Sequence, residues 1–252
     1  MIFRRIVLSA LFAGVLSGFL LSAIQQFGVL PVIESAEIFE AGGAPAASHD
    51  HAHNHAPDQV PDHADDGAEH QRWTIVANIL TAIGFALLLI PAMSIWEHLK
   101  QKPLANPRNG LLWGAVAYLC IFVLPAIGLP PEIPGAAVAE LGKRQQWWLL
   151  TVACGIGGLS GVAFLRSPLR WAAVLLIGVP FLIGAPHLST GAFDGFRPEI
   201  AAQMETLAHR YVWITALTNA VYWLTLGALA GWVVARWIRP VLGQTDGAPT
   251  VV

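Results

Sequence analysis

The chain has 252 residues, of which 55% are hydrophobic and only 12% charged, and its mean hydropathy is +0.58. Soluble domains carry charge on about a quarter of their residues, so a water-exposed globular fold is excluded. With a net charge of −2 and no basic patch interleaved with aromatics, nucleic acid is excluded as a partner.

Charge is missing from whole segments. In chain order the uncharged stretches are 6–24, 73–96, 110–131, 145–165, 171–186 and 211–235. About 20 apolar residues cross the hydrocarbon core as a helix, because lipid offers no partner to backbone N–H and C=O groups. Five stretches reach that length. The fifth in order, 171–186, is short; it either extends to Phe193 or breaks at Pro180. The first stretch follows Arg4 and Arg5 and reads as an uncleaved span rather than a removed leader. Indoles at Trp73, Trp96, Trp147, Trp148, Trp171, Trp232 and Trp237 mark span ends.

The expected fold is therefore all-α: a polytopic helical membrane protein of about six spans, or five if the first or the short segment does not cross. One integral membrane domain covers 1–240, followed by a disordered cytoplasmic tail, 241–252. Residues 35–71 should form a mobile extracytoplasmic loop, 130–144 a second outer connection, and 198–209 a helix opened by Pro198 and Glu199. With both termini inside, the inner segments carry nine basic residues and the outer ones five, as the positive-inside rule requires. Of the acids, only Glu97 and Asp246 then fall inside. An acidic outer face concentrates cations.

The segment HDHAHNHAPDQVPDHADDGAEH holds His49, His51, His53, His55, His63 and His70, six of the nine histidines. The first four alternate, so either an extended chain or a helix can offer two imidazoles to one ion. Interleaved aspartates add oxygen ligands. Imidazole with carboxylate suits cobalt, nickel, copper or zinc. Neutral imidazole is the ligand, so capture weakens below a pH of about 6.5. Glu132 after Pro130 and Pro131, and His187 after Pro186, sit near the outer interface as further candidate metal ligands. Gln26, Asn78 and Asn219 fall within or near spans. Such amides either join helices or line a polar path.

Several chemistries find no motif. There is no G-x-x-x-x-G-K-[ST] loop, no CxxC pair and no HExxH helix. Cys120 and Cys154 read as small apolar fillers. Gly158-Leu159-Ser160-Gly161 matches the G-x-S-G of intramembrane serine proteases of the rhomboid type, but the sixth span carries no histidine to serve as base. Close helix packing explains these small residues, like Gly14, Gly18, Gly227 and Gly231, more simply. No enzyme is expected.

The segments GFLLSAIQQFGVLPVIESAEIFE, DGAEHQRWTIVANILTAIGFALLL, NGLLWG, LPAIGLPPEIPG, LGKRQQWWLLT, PFLIGAP and LTNAVYWLTLGAL resemble the CbtA family, the probable cobalt transporter subunit. The resemblance runs in order to about Pro240. It implies a bacterial inner-membrane protein of about five spans, cobalt (Co²⁺) as transported ion rather than bound cofactor, a link to cobalamin synthesis, and a small single-span histidine-rich partner, CbtB. Cobalt comes from the resemblance alone. The residues themselves leave nickel or zinc, export, or a non-transporting metal-binding accessory or sensor open.

Overall fold

The computed structural model describes residues 2–43, 63–165, 169–188 and 190–241. Its helices are α1 (Ile2–Gly28), α2 (Leu30–Gly43), α3 (His63–Lys100), α4 (Pro107–Tyr118), α5 (Leu124–Gly128), α6 (Leu141–Phe164), α7 (Leu169–Ile183) and α8 (Pro198–Val233). One π-helical turn, Leu119–Val123, joins α4 to α5, and another, Val234–Ile238, extends α8. Each π turn lies just before a proline, Pro125 and Pro240. A proline ring clashes with the carbonyl four residues back, and an added backbone residue relieves that clash.

Among the described residues, five helices are long and apolar enough to cross a membrane: Ile2–Gly28, Gln71–Lys100, Pro107–Gly128, Leu141–Phe164 and Pro198–Val241. The protein is an all-α, multi-pass membrane protein. Helix α7, with 15 residues, rises only about 22 Å, short of a hydrocarbon core of about 30 Å. It still runs back along α6. Gly161 faces Ala173 and Gly158 faces Ile177, while Trp147 Nε1 donates to the Pro180 carbonyl at 3.1 Å. Beyond Ile183 the chain continues without helix, and a Cβ on Gly128 would touch Ala185. Among the described residues Arg170–Ile183 is thus a shorter apolar helix beside the five long ones. Arg5 Nη1 donates to the Trp237 carbonyl at 3.0 Å, so both described ends of the chain meet.

Small residues set the packing. Gly14 and Gly18 lie against the backbone of Ile83 and Ile79, joining α1 antiparallel to α3. Gly110 and Gly114 of α4 meet Gly227 and Trp223 of α8, and Gly231 meets Asn106. The core formed by α1, α3, α4 and α8 centres on Ala86, Ile90, Met93, Leu226 and Ala230. The α6–α7 pair flanks it. A separate cluster of Ala36, Ile133, Phe193 and Met204 caps the opposite end from the termini.

Three expectations change. The loop expected over 35–71 is helical at both ends, because α2 runs to Gly43 and α3 begins at His63. Val32 and Ala36 are both buried, Ala36 within the end cluster, and this burial stabilises α2. The short fifth segment neither breaks at Pro180 nor continues as helix to Phe193. Helix α7 passes through Pro180 and stops at Gly184, whose φ of +87° favours glycine. Trp147, expected as an anchor at a span end, is buried against α7 rather than exposed. The helix expected over 198–209 does form, with Pro198 in its first turn, and runs unbroken into the last span.

Candidate functional site

Of the loop histidines, His49, His51, His53 and His55 lie outside the described residues, as does the tail beyond 241. His63 opens α3 and His70 follows two turns later. Among the described residues, no group of three or more His, Cys, Asp and Glu side chains could hold a metal ion.

Glu132 lies in the connection between α5 and α6, half-buried and paired with Arg144 at the start of α6. Burial pushes its carboxyl above the ordinary range against the opposing pull of the guanidinium. A cation binding there would have to displace Arg144. His187 is exposed, on the non-helical stretch after α7. A cavity of about 610 Å³ lies beside Arg144, walled by Phe122, Pro125, Leu129, Pro131, Trp148 and Leu149. Its wall is apolar apart from Arg144 and Gln145.

The amides separate into different roles. Asn78 Nδ2 donates to Gln25 Oε1 at 2.6 Å and is 3.1 Å from Ser22 Oγ, so it ties α3 to α1. Gln26 is exposed; its neighbour Gln25 takes the bond. Asn219 Nδ2 donates to the Thr215 carbonyl one turn back in its own helix at 3.0 Å. These three are not brought together by any of these bonds. Interhelical polar contacts in membranes contribute about 1 kcal/mol. Asn78→Leu should therefore lower the melting temperature in detergent by a few degrees, whereas Asn219→Leu should leave it unchanged. If Asn219 lines a path, its leucine variant lowers maximal flux at equal protein abundance; unchanged flux removes it from the path.

The best-built polar cluster lies elsewhere, at the end where the termini meet. Glu97, in the last turn of α3, is only 8% exposed. Its Oε1 accepts the Ala105 N–H at 2.5 Å and Arg239 Nη2 at 2.6 Å. Arg239 Nη2 also donates to the Ala105 carbonyl. Sequence reasoning did not single out Glu97 as a site residue. The signal available was an acid alone among basic residues at its end of the spans, a charge that needs a partner if it is buried.

Ser160 of the G-x-S-G segment is exposed on α6, and Cys120 and Cys154 are both buried and free. Gly158 and Gly161 face α7, which supports the packing reading.

Comparison with curated proteins and with solved structures finds no match. A family model described as "Probable cobalt transporter subunit (CbtA)" matches residues 3–235. That match runs through every described span and agrees with the all-α, multi-pass architecture, so the chain belongs to the CbtA family of probable cobalt transporter subunits.

Proposed function

We propose that this chain is the membrane permease subunit of a Co²⁺ uptake system in a bacterial inner membrane, supplying cobalamin synthesis. The observation that carries the reading is the family match over 3–235. The His/Asp-rich segment collects the ion on the outer side. Glu132 and His187 receive it at the mouth, Glu132 by exchanging Arg144 for the cation, and polar groups such as Asn78 and Asn219 line the way. A small single-span, histidine-rich CbtB-like subunit is the partner, and the chain performs no catalysis. The word "subunit" in the family description supports a partner of some kind.

The test is radiolabelled cobalt flux into vesicles holding the full chain, with and without the partner, in competition with Ni²⁺, Zn²⁺ and Mg²⁺. Saturable cobalt flux that Mg²⁺ does not inhibit is the expected result. Binding without flux in either preparation would replace the permease with a metal-binding accessory, and preferential inhibition by Ni²⁺ would change the cargo.

A further inference from the structure

We propose that Glu97, Arg239 and the Ala105 backbone form a latch that holds the termini-bearing end of the bundle closed, and that this latch opens during transport. Opening during transport rests on the permease reading; the latch itself stands on geometry alone.

Among the described residues Glu97 is the one charged side chain that is buried. It sits at a helix C-terminus, where the backbone dipole disfavours an anion. Its charge is tolerated because two partners reach it from outside α3. Ala105 belongs to the loop leading into α4, and Arg239 comes directly after the π turn that ends α8. One carboxylate thus joins three separately connected pieces of chain. The loop is fixed further by Asn106, which caps α4 by accepting the Asn109 N–H at 2.9 Å and whose carbonyl lies against Gly231.

A buried ion pair is a poor choice for stability alone, since apolar residues of equal volume often hold a fold as well or better. What it offers is a joint with two discrete states. Both helices that carry it have an interrupted backbone close behind. Pro91 lies within α3, less than two turns before Glu97, and the π turn Val234–Ile238 immediately precedes Arg239. Prolines and π turns are where long helices bend. The Arg239 side chain is 35% exposed while Glu97 is 8% exposed, so one half of the pair already lies at the protein surface. Opening hydrates Glu97 without moving Arg239 out of an apolar interior.

Ala105 is 3% exposed and reports the state of the latch. The full chain bearing Ala105→Cys, reconstituted in vesicles, is labelled with a membrane-impermeant maleimide; the same chain with alanine at Cys120 and Cys154 is the control for native thiols. Labelling should be slow, and at least tenfold faster when Glu97→Gln is added, at unchanged melting temperature within a few degrees. Arg239→Lys, which keeps the charge but loses the fork, should give an intermediate rate and serves if Glu97→Gln does not fold. Equal rates in the parent and in whichever of these variants fold would overturn the latch. Cobalt added to the parent should raise the rate; no change with cobalt overturns the coupling to transport. Flux measured on the parent, with and without the partner, separates the two ideas, because fast labelling of Glu97→Gln beside a parent that shows no flux in either preparation keeps the latch and removes the permease.

Discussion

Gly227→Leu should eliminate the folded protein. At this position a single Cβ would meet the Gly110 carbonyl oxygen and come within 2.6 Å of Gly114 N and 2.7 Å of Gly114 Cα. All three are backbone atoms of α4 and cannot rotate aside. Gly110 stands in the reciprocal position, with the Gly227 carbonyl against it, and Gly114 meets the Trp223 carbonyl in the same way. Ordinary overpacking costs about 1–3 kcal/mol. Here two backbones must separate along the seam that joins α4 to α8, so the expected loss is at or above about 3 kcal/mol. The measurement is the size-exclusion profile and melting temperature in detergent. Gly178→Ala is the control. Nothing lies within 4 Å of a Cβ at that position, and alanine is favoured over glycine in a helix by about 1 kcal/mol. That variant should melt at the same temperature or slightly higher. A Gly227→Leu protein that elutes and melts like the parent would show that α4 and α8 are not in backbone contact.

Replacing His49, His51, His53, His55, His63 and His70 together with alanine should lower cobalt uptake on the order of tenfold at limiting external cobalt, the low end of what local concentration of an ion at a charged mouth provides. Uptake at saturating cobalt should be unchanged, because a collector raises occupancy of the entrance and does not change the crossing itself. The sign of the pH dependence comes from the ligand. Neutral imidazole binds metal, so the gap between parent and variant is full well above a pH of about 6.5 and closes as pH falls through it. The measurement is uptake against external cobalt concentration at two pH values either side of that point. A variant matching the parent at every concentration removes the collector role. A variant with reduced maximal uptake moves those residues from the loop into the path.

The spans were readable because lipid imposes one strong constraint, the internal satisfaction of every backbone group, and the chain meets it with long uncharged runs. The small residues at Gly14, Gly18, Gly158 and Gly161 were readable as packing faces for the same reason. With no water to exclude between helices, close approach is what remains to hold them. What escaped had no local signature. α2 is held by Ala36, which packs with residues more than 90 positions away, Ile133 and Met204 among them. The partner of Glu97 lies 142 positions along the chain. Trp147 reads as an interface anchor by position, yet its N–H is committed to a carbonyl of the neighbouring helix. For the candidate site, the sequence singles out the chemistry of the histidine segment, while the bonding of Asn78, Gln25 and Asn219 depended on which helices adjoin.

Helix α7 is about 8 Å too short to reach both headgroup layers, and it gives way to a non-helical stretch bearing Gly184, Pro186 and an exposed His187. Such a stretch cannot satisfy its own amides as a helix does. Lipid beside α7 therefore meets a shorter apolar helix than it does at any of the five long ones.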